Sequence, residues 1–209
     1  MVAWREEKLV WTWRCSMNNW FVLTGGPKVG KTTIINYLRY LGFNVYPEIA
    51  RLYMDSEISK GRELKEVLNS GDEMENEILK LKIEMEKRVD KSQICIFDRS
   101  VIDSIAYSEY YGRTLDTRLL EHIDLSKRYG KIFLLEPLKI YTPDYLGYED
   151  EIESRKIHAK LRKTYLKYGY EIVDVPIANI EERAEVVVNQ IEQIDSKENL
   201  EVDYNIMEA

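Results

Sequence analysis

Gly25-Gly26-Pro27-Lys28-Val29-Gly30-Lys31-Thr32 follows the apolar run Trp20-Phe21-Val22-Leu23 and leads into a helix-like segment from Thr32 to Leu41. Strand, glycine loop and helix, in that order, are the context in which the Walker A pattern G-x-x-x-x-G-K-[ST] has a mechanism. Backbone N–H groups of a loop that only glycine bends this tightly converge on phosphate oxygens, and the positive end of the following helix faces the same charge. The pattern assigns phosphate binding to Gly25, Gly26, Pro27, Lys28, Val29, Gly30, Lys31, Thr32 and Thr33. Lys31 is expected to reach the β- and γ-phosphates, and the Thr32 hydroxyl to hold Mg²⁺. The ligand this implies is a nucleoside triphosphate, ATP first, with GTP as the alternative.

The chain has 209 residues, enough for one well-cored α/β domain with a lid but short for two full domains. Its net charge of -7 argues against a nucleic-acid partner, whose phosphates need a concentrated basic face. No apolar run approaches a membrane span, and Arg5, Glu6, Glu7 and Lys8 stand where a signal peptide would be apolar. Cys15 and Cys95 suit no disulfide framework, and a reducing, cytoplasmic compartment fits. Trp4, Trp11 and Trp13 crowd the first 16 residues, ahead of Met17. Two readings of residues 1–16 stand side by side: a mis-assigned start before Met17, or a packed extension anchored by the tryptophans.

Past the first strand and helix, Gly42 to Pro47 reads as a short second strand, and Glu48 opens a helical stretch. Charged residues interleave with apolar ones from Arg62 to Val89, giving two helices broken near Ser70-Gly71-Asp72, with Asp72 as the expected N-cap. Gln93 to Phe97 is unbroken apolar sequence ending in Asp98-Arg99-Ser100, the pattern of a strand covered on both faces. Helices are expected over Val101–Tyr110 and Asp116–Tyr129, then a strand at Lys131–Leu135. A polar, proline-containing stretch precedes a helix from Glu151 to Tyr168, followed by a strand over Tyr170–Val175 and a helix over Ile180–Ile194. Residues 195–209 read as a loose acidic tail. Alternation of this kind predicts a P-loop NTPase fold: a three-layer α/β/α domain over residues 17–194, with a five-stranded parallel sheet and a lid at about 136–156.

Chemistry-bearing residues cluster just after the strands, the edge where ligands of such sheets collect. Glu48 and Arg51 follow the second strand, Asp98 and Arg99 the third. A carboxylate there orients Mg²⁺ or accepts a proton from an attacking hydroxyl. ATPases that hydrolyse commonly place Glu beside the strand-end Asp, whereas Arg99 stands there in this chain. A planar guanidinium binds oxygens bidentately, which favours transfer to a bound acceptor over hydrolysis. No N-K-x-D guanine motif is present. Lid cations are sought among Arg155, Lys156 and Arg162, against the simpler pairing of Glu151 with Arg155 along one helix face. His122 and His158 lack metal-ligand spacing, so no zinc site is expected. Pro176 to Asn179 is a candidate contact for a nucleotide base.

With these residues in place, the chain resembles the NadR-like AAA domain family, P-loop proteins related to the ribosylnicotinamide kinase domain and, more distantly, to deoxynucleoside kinases. The resemblance runs from about Asn19 to Ile194. It rests on Thr24-Gly25-Gly26-Pro27, Tyr46-Pro47-Glu48-Ile49-Ala50-Arg51, Phe97-Asp98-Arg99-Ser100 with Asp103 and Tyr107, Leu135-Glu136-Pro137, and Gly169 to Pro176 followed by Glu182-Arg183. By analogy with nucleoside kinases it implies Glu48 as the base on an acceptor hydroxyl, Asp98 at the metal, and Arg99 at the substrate. One departure matters: family lids read Asp, two residues, Arg, aromatic, Glu, where this chain has Asp144-Tyr145-Leu146-Gly147-Tyr148-Glu149. Either Arg155 or a neighbour supplies the missing charge, or the chain binds nucleotide with little transfer.

The leading expectation is ATP- and Mg²⁺-dependent phosphoryl transfer to a small hydroxylated metabolite of nucleoside or ribosyl type. Lys31, Glu48, Asp98, Arg99, Arg51 and Arg155 are the expected catalytic residues, and Thr32 and Asp98 the expected Mg²⁺ ligands. A regulatory nucleotide switch is the alternative. Whether the chain forms a homo-oligomer stays open.

Overall fold

The computed structural model describes residues 19–138 and 151–207, with side chains described as far as 193. Both readings of residues 1–16, and the lid motif from Asp144 to Glu149, lie outside the described residues.

Five strands form one all-parallel sheet in the order β2-β3-β1-β4-β5. They are β1 (Trp20–Thr24), β2 (Asn44–Tyr46), β3 (Cys95–Asp98), β4 (Lys131–Leu135) and β5 (Ile172–Val175). The expected strand number, direction and three-layer build are all present. Alternation along the central strands splits the core into two layers, because successive side chains leave opposite faces of a strand. Trp20, Val22, Phe97, Ile132 and Leu134 face one side and pack on Ile102 and Ala106 of α5 (Val101–Tyr111) and on Ile157, Leu161 and Tyr165 of α6 (Glu151–Lys167). Phe21, Leu23, Ile96, Phe133 and Leu135 face the other, against Ile34, Ile35 and Leu38 of α1 (Lys31–Tyr40) and Ala184, Val187 and Ile191 of α7 (Ile180–Met207). Burial on both faces is why β1, β3 and β4 read as unbroken apolar runs.

Beside the edge strand, α2 (Ile49–Ser59), α3 (Leu64–Asn69) and α4 (Asp72–Lys87) close a small cluster around Val67, Met74 and Ile78. The α3/α4 break falls where expected, but Gly71 is the N-cap, and no side chain caps the helix. Asp72 lies one residue inside, and its carboxylate accepts the Thr114 N–H at 2.9 Å instead.

The expected helix over Asp116–Tyr129 is absent; only a single 3₁₀ turn, Thr117–Leu119, forms there. Its aspartates take the backbone out of the helix. Asp116 accepts the Arg118 N–H at 3.1 Å, and Asp124 accepts the Ser126 N–H at 3.1 Å, local bonds that compete with helical ones. The Tyr170 hydroxyl then accepts the N–H groups of Arg128 and Tyr129 and donates to the Leu125 carbonyl. Leu119, Leu120 and Ile123 anchor this loop on Leu79, Ile83 and Val101.

Helix α7 runs to Met207, so the backbone of residues 195–207, read from sequence as a loose tail, continues as helix. No helix among the described residues is long and apolar enough to cross a membrane.

Candidate nucleotide and phosphoryl-transfer site

Parallel strands place Thr24, Tyr46, Asp98 and Leu135 on one rim of the sheet, and the segments leaving that rim carry the chemistry. The phosphate loop leaves β1. Gly25 adopts φ 149°, where a Cβ would stand 2.9 Å from the Leu135 carbonyl oxygen, so only glycine lets the loop pass β4 this closely. Gly30 (φ 84°) turns the chain through the left-handed region into α1. Lys28 also has positive φ, at 62°. Lys31 is buried, and its ammonium donates to the Gly26 carbonyl at 2.8 Å and the Gly25 carbonyl at 3.3 Å. Thr32 and Thr33 are exposed on the first turn of α1. The loop is thus curled around its own lysine at a helix N-terminus, the arrangement that binds anions.

Two further side chains grip the outside of the loop. Ser154, on the first turn of α6, donates to the Pro27 carbonyl at 2.8 Å, and a Cβ on Gly26 would fall 2.6 Å from the Ser154 carbonyl oxygen. Arg183, on the first turn of α7, donates to the Val29 carbonyl at 2.8 Å and to the Glu136 carbonyl at 3.2 Å.

Asp98 ends β3 and is buried, and among the described residues its Oδ1 has no hydrogen-bond partner. Burial pushes its carboxyl up to about 7; the nearby Glu48 charge adds to this, and Lys31 and Arg99 oppose it. Lys31 moves the other way, down to about 8, through burial and the Arg99 charge, against the pull of Glu48, Asp98 and Asp103. Arg99 takes φ 66°, a strained angle for a side chain with a Cβ, and turns its guanidinium inward. Its Nε donates to Glu48 Oε1 at 2.6 Å, Nη1 approaches Asp103 Oδ1 at 3.4 Å, and the group lies 5.0 Å from the centre of the Tyr107 ring. Burial alone would raise the Glu48 carboxyl, but Arg99 and Lys31 outweigh it and hold Glu48 below the usual carboxylate range.

Asp103 is the hub beneath these groups. Fully buried, it accepts from the Thr24 hydroxyl at 2.5 Å, from the Ser100 N–H at 3.0 Å and from the Tyr165 hydroxyl. Lys82 of α4, also buried, donates to the Ser100 carbonyl and the Ser104 hydroxyl, both at 2.9 Å. Burial lowers the Lys82 ammonium, with Asp103 opposing. Sequence reasoning gave no role to Thr24, Lys82, Asp103, Ser154, Tyr165 or Arg183. Thr24, Asp103 and Arg183 stood in the stretches that carry the resemblance, and Asp103 carried a local signal besides, since Ser100-x-x-Asp103 is a capping-box spacing and the structure has both of its bonds.

Four of the six expected catalytic residues, Lys31, Glu48, Asp98 and Arg99, are brought together electrostatically. Arg51 is half-buried on α2. Arg155 pairs with Glu151 at 2.9 Å and is 58% exposed, so its neighbour Ser154, and not Arg155, meets the loop. Asn179 caps α7, its Oδ1 accepting the Glu182 N–H at 2.8 Å.

A family model described as an AAA domain matches residues 20–183. The chain belongs to that family. Among solved structures, the NadR protein in complex with NR aligns at 16% identity with a TM-score of 0.58, over 82% of this chain and 50% of NadR. NadR in complex with NAD and AMP-PNP gives 0.56 at 16% identity, over 82% and 49%. Deoxyadenosine kinase from M. mycoides, with products dCMP and dCDP, gives 0.52 at 14% identity, over 83% and 99%. This AAA domain chain therefore spans about half the length of NadR and nearly all of the deoxyadenosine kinase, and it shares its P-loop NTPase fold with both. None of the curated proteins compared matches it.

Among the described residues no group of three or more His, Cys, Asp or Glu could hold a metal ion. The orphaned, buried Asp98 Oδ1 and the exposed Thr32 hydroxyl suit a hard cation that takes most of its ligands from phosphate and water, as Mg²⁺ does.

Proposed function

We propose that the chain catalyses ATP- and Mg²⁺-dependent phosphoryl transfer to a small hydroxylated acceptor, a nucleoside or a ribosyl compound. The observation that carries this reading is the Glu48–Arg99 pair. It sets an ionised carboxylate on the same rim as the phosphate loop, electrostatically coupled to Lys31. A carboxylate on this rim can take the proton of an attacking acceptor hydroxyl, and Arg99, where hydrolysing ATPases commonly place a second carboxylate beside the strand-end Asp, favours transfer over hydrolysis.

Each residue then has a task. Backbone N–H groups of Gly25 to Thr33 cradle the phosphates, and Lys31 neutralises charge that grows on the transferring group. Thr32 and Asp98 would hold Mg²⁺, which when bound offsets phosphate charge. Glu48 accepts the proton of the attacking hydroxyl. Arg99 keeps Glu48 ionised and aimed, and Arg51 and Tyr107 border the acceptor. The fold shared with deoxyadenosine kinase, a protein of nearly the same extent, supports the assignment. A free, buried Cys95, its thiol pushed up to about 11 by burial, fits the reducing cytoplasm where we place the chain.

One observation favours a second reading, a nucleotide-dependent switch. Arg155, the cation that could replace the lid arginine, is engaged by Glu151 on an exposed face. Measuring ADP release from ATP with and without a panel of nucleosides separates the two. Acceptor-stimulated release supports the kinase; slow release indifferent to every acceptor overturns it in favour of the switch.

A further inference from the structure

Arg183 is 3% exposed, yet among the described residues it has no carboxylate within ion-pair distance. The nearest acidic side chain in its electrostatic surroundings, Glu136, is engaged elsewhere, 3.7 Å from His158 Nε2 and 3.6 Å from Arg162 Nη2. Its guanidinium bonds two backbone carbonyls, Val29 at 2.8 Å and Glu136 at 3.2 Å, while Nε is buried without a hydrogen-bond partner. A buried cation without an ion-pair partner is costly, and the first turn of a helix is the end where the macrodipole disfavours it further. An apolar side chain would fill the space more cheaply. The placement makes sense if an anion arrives in front of Arg183 and if the grip on Val29 serves that anion.

Peptide geometry supplies the link. In a trans peptide the C=O and the following N–H point in opposite directions. With the Val29 oxygen drawn to Arg183, the Gly30 N–H must point away from it, to the inner side of the loop. Gly30 then needs φ 84° to bring the chain into α1, and the Arg183 Nη1 lies 3.3 Å from where a Cβ would stand. The same residue holds the Glu136 carbonyl, the exit of β4, so three segments of the rim are pinned at one point.

We infer that Arg183 is a positioning residue of the phosphate cradle: it fixes the Val29–Gly30 peptide so that the Gly30 N–H is aimed at the polyphosphate before the nucleotide arrives. The inference rests on the nucleotide-binding part of the function proposed above. Pre-aimed donors cost no reorganisation on binding, so the effect appears in affinity for any ligand with a diphosphate.

Val29-Gly30 is the chain's single Val-Gly pair, so ¹³C′-valine with ¹⁵N-glycine labelling isolates the Gly30 amide as one NMR signal. ADP with Mg²⁺ is titrated into wild type, Arg183→Lys and Arg183→Met, with calorimetry alongside. In the wild type the Gly30 amide proton moves downfield on binding, as a charge-assisted hydrogen bond requires. Arg183→Met, folded by circular dichroism, loses that movement and binds ADP about 10- to 100-fold more weakly; Arg183→Lys, which keeps a donor for Val29, recovers part of both. A folded Arg183→Met chain that binds ADP as tightly as wild type, with the Gly30 movement intact, overturns the inference. Should Arg183→Met not fold, Arg183→Gln takes its place, and equal affinity and equal Gly30 movement across wild type, Lys and Gln overturn it. A wild-type chain that shows no binding overturns the nucleotide reading itself, a result distinct from every variant outcome.

Discussion

Arg99 Nε donates to Glu48 Oε1 at 2.6 Å, joining the segment that leaves β2 to the one that leaves β3. The pair spans 51 residues of sequence, and it makes Arg99 a partner of Glu48. A carboxylate so held is a poor proton acceptor in the resting state and an ordered one. For the proposed role as base, Glu48 has to share its bond to Arg99 with the acceptor hydroxyl. Replacing Glu48 with Gln should leave ATP affinity near wild type and lower acceptor-stimulated ADP release about 10²- to 10⁴-fold. Unchanged turnover would remove Glu48 as the base.

Lys31 curls back onto the Gly25 and Gly26 carbonyls, so its charge is already in the cradle. Lys31→Met should lower turnover about 10²- to 10³-fold, the scale for losing one preorganised donor to transition-state charge. Steady-state ADP release checks it, with the folded fraction followed by circular dichroism.

Asp103 receives Thr24, Ser100 and Tyr165 and is the second carboxylate facing Arg99 after Glu48, so Asp103→Ala leaves several buried donors unpaired and weakens the compensation of a buried cation. Urea unfolding should show a loss of about 3–5 kcal/mol. Removing a surface carboxylate such as Glu84, 46% exposed beside Lys87, should cost about 1 kcal/mol or less in the same assay.

Gly26 has no room for a side chain, since a Cβ would lie 2.6 Å from the backbone oxygen of Ser154. Gly26→Ala therefore has to lift α6 off the phosphate loop, at a cost of about 1–3 kcal/mol. Ser154→Ala removes only one bond to Pro27 and should cost about 1 kcal/mol. Thermal unfolding of the two variants ranks the steric term against the hydrogen bond.

His158 faces Glu136 and Asp174 from neighbouring elements and Arg162 from the next turn of α6, with Lys31 also acting on it, and burial lowers its imidazole below the ordinary 6.5. A histidine with a lowered folded-state pKa binds its proton more readily when unfolded. Stability should therefore fall as the pH drops below about 6.5 and hold above it. His158→Gln should flatten that slope in unfolding curves measured between pH 7 and pH 5.5; an unchanged slope would show that another group carries it.

Much of this molecule was legible along the chain. The phosphate loop, the strand order in sequence and the strand ends carrying Glu48 and Asp98 follow from short-range patterns, because glycine placement and apolar alternation act over a few residues. The misread stretch, Asp116–Tyr129, was expected to be helix, but Tyr170 and the Asx bonds of Asp116 and Asp124 hold its backbone instead. Local patterns do not show a tyrosine 41 residues away.

The sequence alone determined that a parallel sheet would deliver a polyphosphate cradle and two acidic strand ends to one rim. Only the tertiary structure decided which groups hold them there. Arg99 to Glu48, Thr24 to Asp103 and Arg183 to Val29 bridge 51, 79 and 154 residues. Those contacts exist because the packed sheet and helices bring distant polar groups into one dry interior, where each must find a partner, and no local pattern names which one it will be.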